Sequence, residues 1–372
     1  MFSNYVCYIF RRINIGYEVF MIMRLEFINR VKENDVLGRN IFSEDGQVLL
    51  KSGIKLTGNY IKKLRNLGVF YIYIQDERLE DVVIEDPKLM ELKQTTMKSM
   101  TELMKNIHDF NGKSLKKSFN QVEEMIDYII DMGDVNRSLY DIKTYDNYTY
   151  IHSLDTCIMT TFIGLSSGLN EKELKDVGIG AILHDIGKTR ISNKIINKKG
   201  PLTDDEFMEI KKHPIYGSEI LKKDFTMSDT VIKIVKQHHE RIDGKGYPYG
   251  LKRKDISKYA KLVSICDVYD AISNDRCYRK KFTPNDAYEL ILSGSGTMFD
   301  EDLVKSFKNT FAIYPLGCRI RLSNGEEGYV INQNKGFPDR PIIRIFKDNN
   351  MKSFHQINLL KNPSLVIKSM VM

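Results

Sequence analysis

No run of about 18 or more apolar residues occurs in this chain, so no membrane-spanning helix is expected. Cysteine is scarce: Cys7, Cys157, Cys266, Cys277 and Cys318 are an odd number without a CxxC pair, a usage that suits a reducing cytoplasm. Cys157 and Cys266 lie in apolar helical patterns and read as buried thiols. Arginines are not interleaved with aromatic residues as in RNA or single-strand binders, and the lysines are scattered. The net charge of +7 therefore reads as that of a basic soluble protein handling a small anionic ligand, with no nucleic-acid partner. No internal repeat or low-complexity segment is present. Residues 1–22 resemble a signal segment, but Arg11, Arg12, Asn14 and Glu18 interrupt the apolar run and no small-residue cleavage site follows. We read them as an upstream extension, with Met23 as the natural start.

What is there divides into four further segments, with boundaries at 23–86, 87–145, 146–312 and 313–372. The first reads as a small α/β regulatory module. Asp45-Gly46 marks a hairpin, Thr57 caps a helix bearing Ile61, Leu64 and Leu67 that Gly68 ends, and Val69 to Ile74 is a strand. The second is a helical linker broken at Asn111-Gly112. Its stripes Met97, Met100, Met104, Ile107 and Val122, Met125, Ile129, Met132 fit packing onto their own chain or a homodimer seam. The third is almost entirely helical. The fourth carries strand signals at Arg319–Leu322, Tyr329–Ile331, Ile342–Phe346 and Leu365–Ile367. The expected fold class is mainly α, a helical bundle flanked by a small N-terminal α/β module and a small β-rich C-terminal tail.

The chemistry lies in the third segment. Five of the seven histidines fall there: His152, His184, His213, His238 and His239. With Asp185 and Asp267 they make seven groups, too many for one tetrahedral site and about right for two metals sharing a carboxylate. His184-Asp185 follows Ala181-Ile182-Leu183 on an apolar helix, where a charged pair is costly unless it coordinates something. The same dipeptide at His108-Asp109 lies in a polar stretch and is set aside. His213 precedes Pro214 at a helix boundary. His238-His239 follows the amphipathic run Val231, Ile232, Ile234, Val235, and both can reach one metal only from a helix end. Asp270 stands one helical step beyond Asp267, so one can ligate while the other orients Lys188 or a histidine. Two metals a few ångströms apart are a recurrent device for hydrolysing phosphate esters.

Residues 184–188 read His-Asp-Ile-Gly-Lys and residues 238–248 read His-His-Glu-Arg-Ile-Asp-Gly-Lys-Gly-Tyr-Pro. With Lys199 to Thr203, His213-Pro214, Asp267 to Ala271, Arg276, Tyr278-Arg279 and Gly296 to Asp300, the segment resembles the HD-GYP family of bacterial cyclic dinucleotide phosphodiesterases, a branch of the HD superfamily.

That resemblance implies an HD-type helical bundle with a metal centre. His152, His184, Asp185 and Asp267 would hold one metal, and Asp185, His213, His238 and His239 the second, with Asp185 bridging. Asp185 and Lys188 would be catalytic. Lys188, Tyr247, Arg276 and Arg279 would bind substrate, and Asp270 and Glu240 would orient the ligands from behind. Family members with a third metal carry a glutamate where Tyr148 stands, so two divalent ions are expected. Cys277 replaces the family's usual proline. Imidazole and carboxylate donors without thiolate suit iron or manganese, with zinc or nickel as alternatives. The expected activity is hydrolysis of cyclic-di-GMP to pGpG, with the second cut to GMP left open by Tyr148. The alternatives are a phosphodiesterase for the GMP–AMP hybrid, or a receptor that binds without cleaving. A receptor is usually marked by a lost ligand, and no ligand of the binuclear set is lost.

Overall fold

A computed structural model describes residues 23–371 except 43–47, 83, 85, 106–111, 134–136, 139–148, 199, 226, 275–283 and 347–352. The Asp45-Gly46 turn, His108-Asp109, Tyr148, Arg276, Cys277, Tyr278 and Arg279 therefore lie outside the described residues.

The chain opens with strand β1 (Met23–Phe27), then the short strands β2 (Ile41–Phe42) and β3 (Val48–Leu50), helix α1 (Gly58–Asn66) and strand β4 (Tyr71–Gln75). The Thr57 hydroxyl accepts the Tyr60 amide at 3.3 Å and caps α1, whose Ile61 and Leu64 face the core. Gly68 takes φ of 76°, a left-handed conformation that costs other residues more, and ends the helix there. β1 pairs antiparallel with β4, Leu25 opposite Tyr73.

Helices α2 (Pro87–Lys105) and α3 (Gly112–Met132) follow. Met97, Met100, Val122, Met125 and Ile129 are buried in the same apolar core as the helices after them. These residues of the stripes pack on their own chain. The bundle continues with α4 (Thr149–Ser166), α5 (Glu171–Ile182), the short α6 (Asn193–Ile196), α7 (Asp204–Ile210), α8 (His213–Asp224), α9 (Asp229–Gln237), α10 (Lys258–Asn274), α11 (Pro284–Ser293) and α12 (Glu301–Thr310). Asn170 and Glu173 cap the start of α5 reciprocally, side chain to backbone in both directions. α4 buries Ile151, Leu154, Ile158, Met159, Phe162 and Ile163, together with Asp155, Thr156, Thr160 and Thr161, and burial on every side makes it the central helix. Cys157, on α4, and Cys266, on α10, are buried thiols, both pushed up to about 12 by burial. Lys93 of α2 reaches into this core and meets Asp155 of α4 at 3.5 Å.

Between the helices, β5 (Arg137–Ser138) pairs parallel with β6 (Phe311–Ala312). The C-terminal strands β7 (Arg319–Leu322), β8 (Glu327–Asn334), β9 (Phe337–Phe346), β10 (Phe354–Asn358) and β11 (Ile367–Met370) form one sheet in the order β10-β9-β8-β7-β11. The strand expected at Leu365–Ile367 begins at Ile367, and β10 has no counterpart among the strand signals of the sequence.

The two ends of the chain share a core. Met23, Leu25, Phe27, Tyr71 and Tyr73 pack with Cys318, Ile320, Tyr329, Val330 and Ile343. The Leu25 amide donates to the Gly317 carbonyl at 3.1 Å. Arg344, 2% exposed, donates to both Asp81 oxygens at 2.7 and 2.6 Å. Arg24 reaches Asp76 at 2.9 Å, and Arg78 bonds both Asp76 and the Tyr329 hydroxyl, the latter at 2.8 Å.

Burial alone would raise the Asp76 carboxyl, but the hydrogen bonds and charges of Arg78 and Arg24 outweigh it and hold it below the usual carboxylate range. A carboxyl whose folded pKa is depressed contributes stability that is fully present above its unfolded value, about 3.9, and is lost as pH falls below it. The denaturant midpoint is thus expected to drop through that acidic window. Asp76→Asn should lower the midpoint at pH 7 and flatten the drop, and a variant with the parent's slope would refute the assignment.

Candidate metal centre

Each predicted ligand comes from a helix end or a buried helix face, and the bundle brings all of them together. His152 projects from α4. His184 and Asp185 follow the end of α5, in the turn before the 3₁₀ segment Ile186–Arg190. They do not sit within the apolar helix as the sequence suggested, because neighbouring helical side chains diverge by about 100°. A turn lets both point inward. His213 is the first residue of α8, His238 caps the C-terminus of α9, and His239 follows it. Asp267 and Asp270 lie on one face of α10.

Three sets of donor atoms each lie within 4.8 Å of one another: Asp185, His213, His238 and His239; His152, His184 and Asp185; and His184, His238 and Asp267. Asp185 belongs to the first two, as a bridging carboxylate would. His213 Nε2 lies 3.3 Å from Asp185 Oδ1, His184 Nε2 3.6 Å from Asp267 Oδ1, and His239 Nδ1 3.6 Å from Asp267 Oδ2.

The proton positions follow from the backbone. His184, His213 and His238 each place Nδ1 on a carbonyl three residues earlier, Ala181 at 2.6 Å, Ile210 at 2.8 Å and Val235 at 2.9 Å. A carbonyl only accepts, so Nδ1 carries the proton and Nε2 keeps its lone pair. The Nε2 atoms of His213 and His238 then face one another at 3.2 Å with no proton to share. His184 Nε2 and Asp185 Oδ1 are buried and make no hydrogen bond. Acceptors converging in a buried space form a site that a cation could fill. Nitrogen and oxygen donors without thiolate fit a divalent ion of the first transition row.

The electrostatics agree. Burial keeps His213 and His238 below the ordinary imidazole value, helped at His238 by its histidine neighbours, and pushes His239 down to about 3. All three are neutral near pH 7, as ligation requires. His152 differs. Burial opposes its charge, but with no cation between them Asp267 on Nε2 at 2.9 Å and Asp270 on Nδ1 at 2.7 Å push it up to about 10, so His152 gives up its Nε2 proton to ligate. Asp270 thus holds the far side of the His152 ring. Burial would raise Asp185, yet Lys188 and His184 keep its carboxyl well below the usual range, and the Lys188 ammonium touches Asp185 Oδ2 at 2.5 Å.

Tyr247 lies beside this cluster, its ring centroid 4.5 Å from that of His239. Glu240 holds the loop: buried, its two oxygens accept the Tyr249 amide at 2.8 Å and the Leu251 amide at 2.9 Å. Gly246 is needed for close approach, since a Cβ there would come within 2.6 Å of three backbone atoms of residues 239–241. Gly187 is alike: a Cβ would lie 1.9 Å from the His213 carbonyl oxygen and 2.5 Å from the Gly217 nitrogen. The sequence shows both glycines only as letters of motifs; Gly-Lys and Gly-Tyr-Pro beside ligands were the available signal. Sequence reasoning passed over Lys211, whose ammonium lies 5.8 Å from the Tyr247 ring centroid. A lysine amid scattered lysines gave no signal.

Comparison with known proteins agrees with this geometry. Residues 152–303 match the family described as HD domain, and residues 319–372 the family described as KOW domain associated with HD domain. A cyclic di-GMP phosphodiesterase of Pseudomonas aeruginosa is 37% identical over 209 residues, 56% of this chain and 50% of the relative. Another, from Borreliella burgdorferi, is 30% identical over 201 residues, 54% of this chain and 53% of the relative. The chain thus spans about half the length of these curated relatives. A solved HD-GYP-type protein of Bdellovibrio bacteriovorus shares the fold at 18% identity, with a TM-score of 0.50, covering 77% of this chain and 98% of its own. The match to the HD-domain family falls on residues 152–303, the segment that assembles the His/Asp cluster.

Proposed function

We propose that the chain is a metal-dependent phosphodiesterase that hydrolyses the 3′–5′ phosphodiester of cyclic-di-GMP to pGpG. The observation that carries this reading is the convergence of lone pairs on Asp185, which belongs to two donor sets at once. His152, His184, Asp185 and Asp267 would hold one divalent ion, and Asp185, His213, His238 and His239 the other. HD-domain phosphohydrolases use divalent metals, and this donor set favours iron or manganese over zinc or nickel. When bound, such ions supply a strong nucleophile from water at neutral pH and offset charge on a phosphoryl group. Lys188 stays protonated beside Asp185 and donates to phosphoryl oxygens as charge builds there. Asp270 fixes the orientation of His152, and Tyr247 walls the approach next to His239. Arg276 and Arg279 complete the substrate contacts in this reading. Buried free thiols fit a cytoplasmic setting.

The test is turnover of cyclic-di-GMP by protein purified without oxygen and loaded with iron or manganese, beside an Asp185→Ala variant. The parent should release pGpG, and the variant should lose at least about 1,000-fold in rate, on the order of 4 kcal/mol of barrier, together with bound metal. A parent that holds two ions per chain and leaves cyclic-di-GMP intact would refute the proposal.

A further inference from the structure

We infer that Lys211 binds the second phosphate of the cyclic dinucleotide, the one that is not cleaved; this rests on the function proposed above. Lys211 follows the last residue of α7 and points its ammonium toward the Tyr247 loop. Nζ lies 4.5 Å from the Phe207 ring centroid and 5.8 Å from that of Tyr247. Its neighbour Lys212 is neutralised by Glu209 at 2.7 Å, whereas no carboxylate among the described residues pairs with Lys211. The Tyr247 ring also stands against His239, at 4.5 Å between centroids, so the Lys211 ammonium and a cluster histidine flank the same ring.

That placement matches the substrate's charge. A cyclic dinucleotide carries two phosphates on opposite sides of one macrocycle. The metal cluster and Lys188 serve the phosphate being cleaved, and among the described residues Lys211 is the cation beside Tyr247 that has no carboxylate partner and can meet the other. Two aromatic faces hold the Lys211 ammonium against the wall and leave its N–H bonds free to donate. Phe207 is 46% exposed, and its ring can take a base face in the same contact.

The test uses the full, metal-loaded chain with Lys211→Met and Lys211→Arg, on cyclic-di-GMP and on bis(p-nitrophenyl) phosphate, which carries a single phosphate. Lys211→Met is expected to raise KM for cyclic-di-GMP about tenfold, the size of one lost charged hydrogen bond at a partly exposed site, and to affect kcat much less. The loss in kcat/KM should be several-fold smaller on the single-phosphate ester, and Lys211→Arg should recover most of it. An unchanged KM in Lys211→Met, or equal losses on both esters, would overturn the assignment and leave the proposed function standing. A parent that cleaves the simple ester but neither binds nor cleaves cyclic-di-GMP would overturn the proposed function, and this inference with it.

Discussion

Lys93→Met is expected to destabilise the protein by about 3–5 kcal/mol, because removing one partner of a buried ion pair leaves the other charge uncompensated. The Lys93 and Asp155 side chains are 6% and 0% exposed, and their charged atoms lie 3.5 Å apart. Asp155 sits one turn beyond His152 on the central helix, so the disturbed pair lies one helical turn from a metal-ligand position. A thermal melt should show a fall of roughly 10 °C, by the usual few degrees per kcal/mol for domains of this size. The double variant Lys93→Met/Asp155→Leu should recover much of the loss, since an apolar pair of similar volume replaces a buried ion pair at little cost. A single variant that melts with the parent would show that the pair is hydrated.

Gly187→Ala is expected to lower turnover about 100-fold. Its Cβ would collide with the His213 carbonyl oxygen and the Gly217 nitrogen, both backbone, so no side-chain rotation relieves the clash. Either the turn carrying His184 and Asp185 or the start of α8 carrying His213 must shift. A displacement near 1 Å in a catalytic constellation costs on the order of 100-fold. Overpacking of this kind also costs about 1–3 kcal/mol of stability. Metal content and kcat should fall together. A variant with the parent's metal load and kcat would show that the backbone absorbs the methyl group away from the ligands.

The His/Asp cluster was legible in the sequence because metal ligation is selective for residue type. Few side chains bind such ions, so five histidines and two aspartates gathered in one apolar helical segment point to ligation more strongly than any one of them does. The position of His184-Asp185 was less legible. Apolar neighbours signal burial whether the backbone is helix or turn, and only the need for two adjacent side chains to converge favours the turn. Gly187 and Gly246 were visible as motif letters, but their reason is steric and needs the opposing backbone. The helices were readable from apolar spacing, which is local. Strand β10 (Phe354–Asn358) was not, since its exposed Phe354 and mixed polar residues show no alternation. The union of the chain's two ends was also invisible. Periodicity shows which face of a strand is buried and says nothing of which partner buries it.

That union sets an order of assembly during synthesis. Met23, Leu25 and Phe27 leave the ribosome with their apolar partners Cys318, Ile320 and Val330 still untranslated. At the usual elongation rate of about 5–20 residues per second, the delay is on the order of tens of seconds. The buried residues of the helical core all lie within residues 89–311, so most of it can form in that interval. Strand β1 is thus completed only by strands translated after the whole helical core, and a chain truncated ahead of residue 318 would carry the buried residues of that core beside an unfinished sheet.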